Sequence, residues 1–338
     1  MTEDTTRTPT SRRGFLSGAG TAVAAAVAGC AGLTGDETET PDAYTTPAAA
    51  AYDGVVDSQW LTENLDDVKL LDVREEAAFE EARIPDAHHF SNSNMMRDHY
   101  DETDDGFQAS PDSIAWLLEN AGIDRDDDVV VYGAESNLWE TYAIYTLNAI
   151  GHEGTVALLD GGYDVWTSGG GETVSSPPEP EAASYEPELD TDVVATREFV
   201  ADHVDEDGAE IPILDMRTPE EYHGVDERDG AERFGHVRGA INLNFPQSID
   251  GEAGRLRAPE ELETLWIDDA GLSPDETAVT YYQTAVRASV GWFVLSALGW
   301  EDVRNYEGSW VDWGNLTDEE GYYYTTGEGT GTVVDTFA

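Results

Sequence analysis

Three short stretches of the chain are apolar at nearly every position: residues 129–132, 211–215 and 278–282. Runs of four or five such residues predict strands buried on both faces. After the last run the period changes. Val290, Phe293, Val294, Ala297 and Leu298 fall at i, i+3, i+4, i+7 and i+8, which is one stripe of a helix, and Gly299 is a natural stop. Ala143, Ile144, Leu147 and Ile150, followed by Gly151, draw the same stripe earlier in the chain. Alternation of buried strand and helix predicts an α/β fold, a mainly parallel sheet with helices on both faces. Ligands of such sheets sit at the carboxyl ends of the strands.

The pattern occurs twice. Leu71-Asp72-Val73-Arg74 matches Leu214-Asp215-Met216-Arg217, offset by 143 residues. Ala121-Gly122 with Val129 to Tyr132 matches Ala270-Gly271 with Ala278 to Tyr281, offset by 149. Asp160-Gly161-Gly162 with Trp166 matches Glu307-Gly308-Ser309 with Trp313, offset by 147. Three landmarks in order with near-constant spacing predict two copies of one domain. The period is far too long for a solenoid. Residues 169–190, rich in glycine, proline and acid, read as the linker. The expected organisation is residues 51–168, then the linker, then 191–320, with 321–338 as a C-terminal tail.

The N-terminus carries a different message. Arg12-Arg13 precedes an apolar run from Phe15 to Gly29, too short to span a bilayer, which needs about 20 residues. Twin arginines before such a run predict a Tat export signal over residues 1–30. The run ends Val27-Ala28-Gly29-Cys30, which resembles a lipoprotein cleavage box. By that resemblance Cys30 becomes the lipidated first residue of the mature chain, attached to the outer side of the cell membrane. Residues 31–50, rich in Thr, Ala, Pro and acid, read as a flexible tether.

Charge and cysteine content narrow the chemistry. The chain of 338 residues has 71 acidic and 17 basic side chains, a net charge of −54. That field repels phosphate backbones, which excludes a general nucleic-acid binder. Acid spread along the whole chain resembles proteins kept soluble in molar salt, where screening shortens to about 3 Å. Cys30 is the single cysteine, so neither an intrachain disulfide nor a multi-cysteine metal site can form. No metal and no cofactor are expected.

One loop stands out. Tyr282-Gln283-Thr284-Ala285-Val286-Arg287 joins a strand directly to a helix N-terminus. Such a turn aims backbone N–H groups at one spot, an anion cradle that Arg287 closes with a fixed cation.

From about residue 52 to 316 the chain resembles the tandem rhodanese family of thiosulfate and 3-mercaptopyruvate sulfurtransferases. The resemblance rests on Leu-Asp-x-Arg at 71–74 and 214–217, with Pro219-Glu220-Glu221-Tyr222 after the second. Further matches are Gly235-His236-Val237, Gly239-Ala240-Ile241-Asn242, the loop from Tyr281 to Ser289, and Gly308-Ser309-Trp310 with Trp313-Gly314. It implies two rhodanese-like domains. It also implies a cysteine nucleophile at the first loop position, whose thiolate carries a sulfur atom as a persulfide. Here that position is Tyr282, and the family's glycine three residues on is Ala285. In the first copy Gly133 stands there, and no arginine follows. Asp215, Arg217, Glu221 and His236 read as supporting residues of the motif.

A phenol does not form a persulfide, and its ordinary pKa near 10 keeps it neutral at pH 7. The expectation is therefore a protein of sulfurtransferase ancestry with no catalytic residue. It would bind a small oxyanion such as thiosulfate, or a protein partner whose identity the sequence does not give. The competing expectations are a thiosulfate sulfurtransferase working by an unusual mechanism, as the resemblance implies, and a solute-binding lipoprotein.

Overall fold

The computed structural model describes residues 47–337 except 53, 92–109, 135–136, 177, 179–181 and 252–253. The export signal, Cys30 and residues 31–46 of the expected tether lie outside the described residues.

Each copy is built on a parallel sheet. In the first, β1 (Val55–Val56), β2 (Lys69–Asp72), β3 (Ala87–His89), β4 (Val129–Tyr132) and β5 (Val156–Leu159) lie in the order β1-β5-β4-β2-β3. In the second, β6 (Val194–Ala195), β7 (Ile213–Asp215), β9 (Ile241–Leu243), β12 (Ala278–Tyr281) and β13 (Val303–Tyr306) repeat that order as β6-β13-β12-β7-β9. All the ladders within both sheets are parallel. Both central strands, β4 and β12, are buried along their whole length. That is why they read as unbroken apolar runs rather than as alternation.

Side chains leave each sheet on alternate faces. Leu71, Val129 and Val131 face one core, while Leu70, Val130 and Tyr132 face another. The first of these cores is shared between the copies. Helix Leu138–Ala149 of the first packs against helix Ala288–Ala297 of the second, with Tyr145 and Trp292 edge-to-face at 5.5 Å. Thr141 Oγ1 and Ser289 Oγ lie 3.0 Å apart across the junction, and Tyr142 donates its hydroxyl to Glu307 Oε1 at 3.2 Å. Both helices are apolar nearly all round, because one face meets its own sheet and the other meets the partner helix.

Two boundaries differ from the sequence expectation. The segment read as a tail, 321–338, is part of the second sheet. After β8 (His236–Val237), β10 (Ile249–Asp250) and β11 (Arg255–Leu256), the chain returns as β14 (Tyr324–Thr325) and β15 (Thr332–Val334). β14 pairs antiparallel with β8, and β15 pairs parallel with β9, making a sixth strand. Gln247 fastens the end: its Nε2 donates to Val334 O, and its Oε1 accepts from Thr336 N–H. At the other end, residues 47–50 of the expected tether belong to helix Pro47–Ala51, and Ala48 is buried in the shared core. Within the linker, Val174 bridges Arg83, and Tyr185 is buried against His152. Among the described residues no helix is long and apolar enough to cross a membrane.

Candidate functional site

The loop from Tyr282 to Arg287 leaves the carboxyl end of β12, between the ends of its neighbours β7 and β13. Asp215, the last residue of β7, is fully buried. Its carboxylate takes the Tyr281 hydroxyl at 2.5 Å, the Arg217 amide at 2.9 Å, and Arg217 Nε and Nη2 at 2.9 and 2.5 Å. Arg217 Nη2 also reaches Gly235 O at 2.6 Å, and the guanidinium lies 4.6 Å from the Trp310 ring. A buried guanidinium stays charged here because its fork is matched by a carboxylate and a carbonyl. The first copy repeats the device, with Arg74 Nη2 bound to Asp72 at 2.6 Å and to Ala82 O at 2.7 Å. These motif residues hold strand ends together. His236 does similar work. It stacks on Tyr222 at 3.6 Å and donates from Nδ1 to Tyr222 O, and burial holds its pKa down at about 4, so it is neutral.

Glu221 is placed by helix Pro219–His223. Proline opens that helix, and Thr218 forms a capping box in which Glu221 Oε2 accepts the Thr218 amide at 2.9 Å. The buried carboxylate then meets two cations. Arg228 donates to its Oε1 at 2.8 Å, and Arg287 Nη1 lies 3.9 Å from its Oε2. Arg228 also donates to the Tyr282 hydroxyl oxygen at 2.5 Å, while the Arg287 guanidinium lies over the Tyr282 ring at 4.5 Å. The phenol is thus clamped between two arginines at the position of the family nucleophile, and it is only 6% exposed. Burial pushes its pKa up against the opposing pull of Arg287 and Arg228, so it keeps its proton at neutral pH. That hydrogen has no acceptor among the described residues. Beside it lies a shallow recess lined by Arg217, Glu221, Asp226, Arg228, Gln283 and Trp310.

The backbone turn survives the loss of its glycine. Ala285 adopts φ +67° in the left-handed region, fully buried, with its N–H donating to Ser309 Oγ at 2.8 Å and its carbonyl accepting from Asn305 Nδ2 at 3.2 Å. Ser309 itself has φ +51°; it also takes the Tyr282 amide at 3.3 Å and donates to Tyr306 O at 2.7 Å. The cradle is narrower than the sequence suggests, because the Tyr282 and Ala285 amides are committed to Ser309 and the Val286 amide to Thr284 O. The amides of Gln283, Thr284, Arg287 and Ala288 have no acceptor among the described residues. They stand at the N-terminus of helix Ala288–Ala297, where the helix dipole favours an anion.

In the first copy, Gly133 follows β4 and Glu140 fills the space above it. A Cβ on Gly133 would fall 2.3 Å from Glu140 Oε1. Residues 135 and 136 of that loop lie outside the described residues. Sequence reasoning missed three groups here. Arg228 sits in Asp226-Glu227-Arg228-Asp229, which reads as a solvated charge run and gives no signal. Ser309 was visible as part of a motif, but only the turn geometry shows why a hydroxyl is there. Glu140 was legible only as an acid on an otherwise apolar stripe.

The rhodanese-like domain profile matches residues 57–169 and 196–316. The chain belongs to the rhodanese family, as a tandem pair of its domains. It is 33% identical over 277 residues to the sulfur carrier protein TtuD of Thermus thermophilus, covering 78% of this chain and 94% of that one. It is 38% identical over 215 residues to a thiosulfate sulfurtransferase of Corynebacterium glutamicum, covering 61% of this chain and 69% of that one. In solved structures the fold resembles SseA of Escherichia coli, described among 3-mercaptopyruvate sulfotransferases. The TM-score is 0.62 at 23% identity, over 75% of this chain and 97% of that one. EanB bound to ergothioneine superposes with a TM-score of 0.67 at 19% identity, over 81% and 70% of the two chains.

Proposed function

We propose that this rhodanese-family protein has given up persulfide chemistry and uses its second domain to bind a small oxyanion such as thiosulfate. The observation that carries the reading is Tyr282, whose buried, neutral phenol occupies the place of the reactive thiol between Arg228 and Arg287. A phenol in that place supplies a hydrogen-bond donor and no sulfur nucleophile. The four uncommitted loop amides and the Arg287 guanidinium complete a donor set suited to an oxyanion. Glu221 and Asp226 offset part of the positive charge, which favours a weakly held, exchangeable ligand over a tight one. By its N-terminal signal the protein works outside the cytoplasm, tethered to the membrane through a lipid on Cys30, near the partner that delivers or receives the anion.

The test is a thiosulfate-to-cyanide sulfur-transfer assay in molar KCl on the natural chain and on Tyr282→Cys. Silence in the natural chain with turnover in the variant is the expected outcome. Turnover by the natural chain would sink the reading and establish a cysteine-independent sulfurtransferase. Binding is checked separately: thiosulfate at constant ionic strength raises the Tm of the natural chain, and Arg287→Ala abolishes the rise.

A further inference from the structure

The first copy has no reactive residue, yet its vacated position is occupied. Glu140 is the third residue of helix Leu138–Ala149, in the first turn, and is 2% exposed. Its Oε1 stands where a side chain on Gly133 would begin and has no hydrogen-bond partner among the described residues. A carboxylate in this place replaces the anion that a reactive cysteine would present to the same helix N-terminus.

The residue also lies at the junction of the copies. Its neighbour Thr141 meets Ser289, whose hydroxyl in turn donates to Val286 O in the second copy's loop. Asn137, just before the helix, donates to Gly254 O in the hairpin of β10 and β11. That hairpin belongs to the second copy and caps the first copy's strand ends. The Leu256 amide donates to Asp160 Oδ1 at 2.9 Å, and Arg255 Nε stands 3.1 Å from where a Cβ on Gly161 would be.

We propose that Glu140 is a proton-binding latch between the two copies: taking up one proton from solvent seats the hairpin, and losing it loosens the junction. The charged and titratable groups around it are few. Asp72, at the end of β2, repels the ionised form and is itself held by Arg74; Tyr132 ends β4 beside it; Asp160 ends β5; Arg255 comes from the hairpin; helix Ala288–Ala297 contributes only the Ser289 hydroxyl. The amides of Trp139 and Glu140 pull the carboxyl down, but burial dominates and pushes it up to about 7. Ionisation then leaves a buried charge with one bare oxygen, and the cheapest relief is water entering where the hairpin closes over the loop.

The sign follows from linkage. The folded protein holds this proton more tightly than the unfolded chain, so stability is greatest below the unfolded carboxyl pKa and is lost as pH rises through about 7. The experiment compares the full chain with Glu140→Gln in molar KCl, at pH 5.5 and 8.5. The two Tm values should agree at pH 5.5, with the variant several degrees higher at pH 8.5. Hydrogen exchange, corrected for its intrinsic pH dependence, should show residues 249–256 losing protection at pH 8.5 in the natural chain alone. A Tm difference that is the same at both pH values, or protection that changes equally in both proteins, overturns the proposal. A Glu140→Gln chain that cannot fold overturns it as well, because an uncharged side chain of that shape is what the latched state holds.

Discussion

The loop geometry makes Ser309 the most exacting position in the second domain. Its hydroxyl is fully buried and serves three backbone groups: it accepts the Ala285 and Tyr282 amides at 2.8 and 3.3 Å and donates to Tyr306 O at 2.7 Å. Ser309→Ala strands all three. An unsatisfied buried group costs roughly 1–3 kcal/mol. Taking the long 3.3 Å contact as minor, the two short ones set a loss of about 3 kcal/mol. Backbone strain separates this mechanism from simple loss of packing. Ser309 sits at φ +51°, where a Cβ costs about 1–2 kcal/mol. Ser309→Gly loses the same hydrogen bonds but relieves that strain, while its freer unfolded chain takes back about 0.5–1 kcal/mol. The glycine variant should therefore be the more stable of the two by roughly 0.5–1 kcal/mol. The first copy supports the comparison, since Gly162 holds the matching position at φ +55°. Urea unfolding in molar KCl, followed by tryptophan fluorescence and near-ultraviolet circular dichroism, measures both variants. An alanine variant within about 0.5 kcal/mol of the natural chain would refute the hydrogen-bond account. A glycine variant less stable than the alanine one would refute the strain account.

Other expectations test the remaining parts of the site. Arg217→Lys keeps the charge but loses the fork that grips Asp215 and Gly235 O, and should cost about 3–5 kcal/mol in urea titrations. His236 has a folded pKa depressed to about 4, so its contribution is present above its unfolded value near 6.5 and is lost as pH falls toward 4. That loss approaches roughly 3 kcal/mol, and a neutral aromatic in its place, His236→Phe, should flatten this limb of the stability–pH curve. Tyr282→Phe removes one hydrogen bond from Arg228, which keeps Glu221. It should cost about 1 kcal/mol by thermal unfolding while abolishing the thiosulfate-induced rise in Tm.

The repeat and its sheet were legible because burial on two faces writes itself as apolar runs, and because the residues that tie strand ends together recur in both copies. Asp72 with Arg74 and Asp215 with Arg217 are local pairs, two residues apart, so one motif encodes the whole contact. The loop at Tyr282 was legible for the same reason. What escaped the sequence depends on partners far along the chain. Arg228 reaches Tyr282 across 54 residues from within an acidic run, and nothing local distinguishes it from a solvated side chain. β15 was taken for tail because three residues of modest apolarity, at the edge of a sheet, carry almost no periodic signal. Glu140 looked like an ordinary helix acid because the glycine that makes room for it lies seven residues away.

The sixth strand bears on how the molecule is made. The ladders of the first sheet run between residues 55 and 159, so its pairing partners emerge early during synthesis. The second sheet is complete only when residues 332–334 have left the ribosome, and until then β9 presents an unpaired parallel edge. The two copies therefore mature in sequence. The finished first copy offers helix Leu138–Ala149 as a surface on which the second can assemble, and the last strand seals it.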